Sequence, residues 1–183
     1  MRQAILVNGV PASGKSTIAR TLVRGVTELG TPAVPFGLDT VKEGLFVQIG
    51  TGDRQHNRML GRASYHAIFN TVAAFPDSLL PVIDAWHGFQ PVEVLRDHLA
   101  RAAVARVVEV WVAVPPDIAA ARYRARAARR PAGHLPASYA DELRELAARA
   151  GPTGLGTVIE VDGTAEPDPH LAARVLAALE RQT

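Results

Sequence analysis

At 183 residues, 48% of them apolar, the chain can bury one core and reads as a single domain over residues 1–183. Its net charge of +2 is too slight to imply a nucleic-acid or membrane partner from bulk electrostatics. The lack of cysteine excludes a disulfide framework, a thiolate nucleophile and a cysteine-based zinc site. The first apolar run, QAILV at 3–7, is too short for a signal-peptide core or a membrane span, so a soluble cytoplasmic protein is expected.

Taken in chain order, five Val-, Ile- and Leu-rich runs read as strands: 4–8, 32–36, 79–84, 107–114 and 157–161. Most lack strict alternation, as strands buried on both faces do. Helices are predicted over Ser16–Leu29, Arg54–Ala74, Pro91–Ala105, Ile118–Arg129, Tyr139–Ala150 and His170–Arg181. Within Arg54–Ala74, Leu60, Ala63, Ala67 and Val72 read as the apolar face, with Arg58 and Arg62 as a polar stripe. Strands alternating with helices imply an α/β fold whose parallel sheet is covered on both sides by right-handed crossovers.

Between the first strand and helix stands GVPASGKS, residues 9–16, which fits G-x-x-x-x-G-K-[ST] in the strand–loop–helix setting that motif requires. The chain has 18 Arg and only two Lys, so lysine here is not drawn from the background. Gly9 and Gly14 allow close backbone approach, and the amides around Ala12, Ser13 and Thr17 can face a phosphate at a helix N-terminus. Lys15 would reach the β- and γ-phosphates and Ser16 would hold Mg²⁺. The loop therefore reads as a site for a nucleoside triphosphate. No N-K-x-D element follows, and Gly88 stands four residues after Asp84 rather than three, so a GTPase switch does not fit. A compact kinase fits best, with Mg²⁺ and ATP as the implied cofactors.

Three further features bear on such chemistry. Asp39 follows the second strand at the carboxyl edge, where it could orient or deprotonate an acceptor, or cap a helix starting at Thr40 or Val41. Asp84 ends the third strand and could hold Mg²⁺ through water. Five arginines lie within residues 122–130, before a Pro-Ala-Gly break. They form either a lid over the phosphates, spanning about 122–137, or a solvated helix face. Arg126 and Arg130, four apart and next to the break, are the chosen pair.

With GVPASGKS, FGLDT (36–40) and VID (82–84) in place, the chain resembles the chloramphenicol phosphotransferase family of P-loop small-molecule kinases. The resemblance implies an adenylate-kinase-type, five-stranded parallel sheet in the order 2-3-1-4-5. It implies transfer of the γ-phosphate of ATP to a small-molecule hydroxyl, in that family an antibiotic. Asp39 then takes the base position, Lys15 and Ser16 the phosphate and metal positions, and Asp162, Gly163 and Thr164 lie beside the adenine. After VID the family carries a second acidic residue where this chain has Ala85. Trp86, His87 and Phe89 would instead line an acceptor pocket, with Arg58, Arg62 and His66 suited to a sugar-like or anionic acceptor. Sugar or nucleotide-sugar kinases, gluconate-kinase-like or zeta-toxin-like, are the alternative within this class; a nucleotide-binding regulatory module or a nucleic-acid end kinase lies outside it. No nucleic-acid or membrane partner is expected, and a homo-oligomer is left open.

Overall fold

In the computed structural model, residues 1–181 are described. Five strands, β1 (Arg2–Asn8), β2 (Ala33–Gly37), β3 (Leu80–Asp84), β4 (Val104–Ala113) and β5 (Thr157–Asp162), form one sheet. Their order is β2-β3-β1-β4-β5 and every pairing is parallel. This is the expected five-stranded parallel α/β architecture, in the order 2-3-1-4-5. The helices are α1 (Lys15–Glu28), α2 (Leu38–Ile49), α3 (Arg54–Ala73), α4 (Val92–Arg101), α5 (Pro116–Ala127), α6 (Tyr139–Arg149) and α7 (Leu171–Glu180).

Alternation along the strands divides the core between the two faces of the sheet. Ile5 and Val7 of β1, with Val108, Val110 and Val112 of β4, pack against α1 and α7 through Leu22, Val26, Val175 and Leu179. Leu6 and Ile83 turn to the other face, against Tyr65, Ile68 and Phe69 of α3 and Leu95 and Leu99 of α4. A smaller cluster joins Val10 and Ala12 to Ala119, Tyr123, Ala140 and Leu143, seating the α5–α6 pair on the glycine loop.

Three local expectations need correction. Helix α4 stops at Arg101 rather than 105, because Ala103 turns left-handed (φ 53°) and the Val-rich run from Val104 pairs as β4. Helix α2 starts at Leu38, with Gly37 as its N-cap, so Asp39 lies inside the first turn and its side chain makes no capping bond. In α3 the buried face carries Gly61, Ser64, Tyr65, Ile68, Phe69 and Val72, whereas Ala63 and Ala67 are exposed. Tyr65 and Phe69, both almost wholly buried, are the large side chains of that face.

Parallel register gathers the carboxyl ends. Asp84 sits opposite both Val7 and Gly37, and Asp162 sits opposite Ala113. The loops after β1, β2, β3 and β5 therefore leave one edge of the sheet, where open α/β sheets form their sites.

Candidate active site

The glycine loop is built as an anion cradle. Gly14 is left-handed (φ 100°), and Ala12 adopts the same region (φ 69°), which a residue with a Cβ seldom does. The amides of Gly14, Lys15 and Ser16, at the start of α1, have no backbone partner among the described residues. They are free to meet a phosphate. Among the described residues Lys15 Nζ has only the Val10 carbonyl, at 3.5 Å; burial pushes its pKa down, against the opposing pull of Asp84 and Asp39. The Asp162–Thr164 turn packs directly on this loop: a Cβ at Gly163 would collide with the Ser13 carbonyl. Asp162 accepts from the Thr164 amide (2.7 Å) and hydroxyl (2.6 Å), closing its own turn, while Arg122 donates to the Gly163 carbonyl (2.8 Å).

A buried network fixes the base of the cradle. Asn8 Oδ1 accepts from the amides of Gly9 (2.8 Å) and His87 (2.9 Å), and Asn8 Nδ2 donates to Glu109 Oε1 (2.7 Å). Glu109, with no exposed surface, also receives the amides of Thr153 and Gly154 and the Thr153 hydroxyl. The loops after β1 and β3 are thus tied through one amide side chain to the segment before β5. Nothing in the residue pattern around Asn8 signals this; Glu109 alone, a carboxylate within an apolar strand, hints at a buried partner.

Asp84 and Ser16 fit a Mg²⁺ ion. The Ser16 hydroxyl stands beside Asp84 and favours its ionised form, while Asp84 Oδ1 is buried with no partner among the described residues. Burial raises the Asp84 pKa, and Lys15 and Ser16 oppose that rise. No group of three or more His, Cys, Asp or Glu forms a closed metal cage among the described residues, so the remaining ligands would be water and phosphate, as Mg²⁺ prefers beside a nucleotide.

A cleft of about 500 Å³ lies in front of the cradle, lined among others by Lys15, Ser16, Asp39, Asp84, Arg126 and Arg130. Asp39 accepts from Arg130 (2.8 Å) and pairs with Lys42 (3.3 Å). Desolvation would raise its pKa, but Lys42, Lys15 and Arg130 together draw it down to about 2. The arginine cluster divides by role. Arg126 and Arg130 enter the cleft over Tyr123, Arg122 holds Gly163, and Arg124 pairs with Asp141. The segment after α5 is tied down by His134–Glu43 (2.7 Å), by Tyr123 donating to Leu135 (2.8 Å), and by Asn57 donating to Gly133.

Of the six residues expected at the acceptor, Arg58, Trp86 and Phe89 line the cleft, and His66 is exposed on α3 outside that lining. Arg62 is exposed on α3 outside that lining. His87 is only 2% exposed, bonds the Tyr65 hydroxyl through Nδ1 (2.7 Å), and lies behind the wall; burial lowers its pKa to about 4. Sequence reasoning passed over Lys42, Arg54, Asn57 and Tyr139, which also line the cleft. Lys42 had a signal, being the only other lysine and three residues from Asp39 on one helix. Arg54, whose partner Glu142 lies 88 residues away, had none.

Comparisons with known proteins agree with this architecture. No curated protein matches. A proposed kinase from Chloroflexus aurantiacus superposes with a TM-score of 0.79 at 23% identity, over 97% of this chain and 98% of that one. A sugar kinase from a Janibacter species gives 0.60 at 19% identity over 98% and 95% of the two chains. Kti12 from Chaetomium thermophilum, in complex with ADP-AlF3, gives 0.69 at 15% identity over 96% and 98%. At these identities the likeness is one of fold. The AAA domain family description matches residues 5–150, from within β1 to the end of α6, taking in the glycine loop, Asp39, Asp84 and the arginine segment. This chain belongs to the AAA domain family.

Proposed function

We propose that the chain is an ATP-dependent phosphotransferase that moves the γ-phosphoryl group to a hydroxyl of a small molecule. The observation that carries this reading is the shared cleft: the P-loop lysine, two lid arginines and a carboxylate face one space that extends beyond the phosphate cradle. A hydrolase or switch has no need of that extra space. The fold relatives named as a proposed kinase and a sugar kinase support the same reading.

In this reading the loop amides and Lys15 hold the β- and γ-phosphates, and Arg126 and Arg130 close over the transferring group. Ser16 and Asp84 would hold Mg²⁺, which would supply charge neutralisation for the phosphates. The acceptor oxygen attacks the γ-phosphorus, the bond to the β-phosphate oxygen breaks, and ADP departs. Asp39, with its pKa near 2, is too weak a base to take the hydroxyl proton early. It orients the hydroxyl while Arg130 stays on it. Once Arg130 moves to the phosphate, one cause of that low pKa is removed, and Asp39 can receive the proton as the bond forms.

The test is ADP release from Mg-ATP in the presence of a panel of alcohols. The panel takes in sugars, hydroxy acids and hydroxylated antibiotics, the last being the class that the sequence resemblance implies. Stimulation by an acceptor supports the assignment. A rate that no acceptor raises removes it and favours a regulatory nucleotide-binding module.

A further inference from the structure

The cleft carries more positive charge than a bound nucleotide engages. Seven basic side chains line it against three acidic ones. Lys15, Arg126 and Arg130 serve the phosphates in the reading above. Lys42 is paired with Asp39, and Arg54 with Glu142, where a second donor–acceptor contact measures 2.9 Å. Arg20 lies one turn after Ser16, close enough to act on Asp84, and so belongs to the phosphate end. Arg58 remains. Among the described residues it has no ion-pair or hydrogen-bond partner, yet it stands in the cleft wall.

Its neighbours are anchored. Arg54, Asn57, Arg58 and Gly61 line the cleft at helical spacing, hence from one face of α3. Arg54 is held by Glu142 and lies over the Tyr139 ring (5.7 Å), and Asn57 is held by the Gly133 carbonyl. The nearby carboxylate, Glu142, is hydrogen-bonded by Arg54, and as a single carboxylate it faces the charges of Arg54, Arg58 and Arg149. Arg58 thus presents an unmatched guanidinium from a rigid helix, and Trp86 and Phe89 supply an aromatic wall in the same cleft. A planar guanidinium so placed suits a carboxylate or phosphate, which it can bind bidentately; an uncharged polyol leaves it without a counter-charge.

We infer that the acceptor is an anionic alcohol, its carboxylate or phosphate bound by Arg58, its carbon skeleton against Trp86 and Phe89, and its hydroxyl toward Asp39. This rests on the phosphotransferase reading and names the substrate class for the same site. It also makes Arg58, rather than Arg62 or His87, the residue that sets specificity.

The test has two arms. In the first, the full chain is loaded with Mg-AMP-PNP, so that the cradle is filled, and inorganic phosphate is titrated against the wild type, Arg58→Ala and Arg58→Lys by calorimetry. Phosphate should bind the loaded wild type, about tenfold more weakly Arg58→Ala, and between the two Arg58→Lys, with AMP-PNP affinity the same in all three. In the second, hydroxy acids are each compared with their own carboxamides as acceptors. The acids should lead by about tenfold or more in kcat/KM, and Arg58→Ala should erase that lead. The carboxamides separate free-acid recognition from simple fit. Phosphate binding that is absent or independent of Arg58, or amides that match the acids, overturns the inference while leaving phosphotransfer standing. Failure of AMP-PNP to bind the wild type overturns the underlying reading, and the inference falls with it.

Discussion

Asp39→Asn separates the chemical from the structural role of the cleft carboxylate. Helix capping does not enter, because Gly37 is the N-cap and the Asp39 side chain makes no capping bond. The structural cost comes from two ion pairs, to Arg130 and Lys42. Asp39 itself is 51% exposed, so each pair contributes about 0.5–1 kcal/mol after solvent screening. Asparagine keeps a carbonyl acceptor for Arg130, which limits the loss to about 1 kcal/mol in the nucleotide-free protein. Loss of the negative charge removes repulsion toward phosphate and frees Arg130, so nucleotide should bind equally well or more tightly. Turnover should fall about 100-fold, the scale of losing a positioned proton acceptor. The assay is ADP release at saturating acceptor, with the folded fraction from circular dichroism and nucleotide affinity from fluorescence titration. Unchanged kcat and acceptor KM in the folded variant would refute the assignment of Asp39.

Lys15→Ala should lower transfer by at least about 100-fold, since it removes the cation aimed at the transferring phosphate. Burial already penalises that ammonium, so its thermal midpoint without nucleotide should not fall; wild-type turnover would contradict the cradle assignment. Asn8→Ala strands the Gly9 and His87 amides in a site without solvent and leaves Glu109 Oε1 with the Thr153 amide alone among the described residues, and urea denaturation should show a loss of about 3 kcal/mol or more. Stability should also fall on acidification: burial holds folded His87 at about 4 against about 6.5 when unfolded, so the unfolded chain binds the extra proton first. Urea midpoints should show about 2 kcal/mol lost by pH 5, with buried His98 shifted in the same direction, and a flat profile from pH 7 to 5 would contradict it. Hydrogen exchange across residues 122–137 should slow when Mg-ATP binds, as Arg126 and Arg130 gain the phosphates; equal rates with and without nucleotide would count against a lid.

The sheet was legible because its strands are β-branched runs separated by turn and helix signals, and the glycine loop because its spacing and context leave little choice. Asp39 and Asp84 could be picked out because they follow strands, and strand ends fall on one edge of a parallel sheet. The boundary of α4 was not legible: the alanine-rich stretch 100–105 suits a helix, and the pairing of β4 with β1 decides otherwise. Nor were the cleft wall of α3 and the seclusion of His87, since both depend on the face of that helix carrying Tyr65 and Phe69 being the one turned into the core. Among the arginines, sequence density marked the segment, but only the positions of Gly163 and Asp141 separate Arg122 and Arg124 from Arg126 and Arg130, which line the cleft.

The most direct test of phosphotransfer is the fate of the γ-phosphate, followed by phosphorus NMR with Mg-ATP and an alcohol acceptor. The cleft geometry predicts a phosphate-monoester signal that grows in step with ADP, little free phosphate, and neither product with Lys15→Ala. ADP accompanied only by free phosphate, with every acceptor tried, would contradict it.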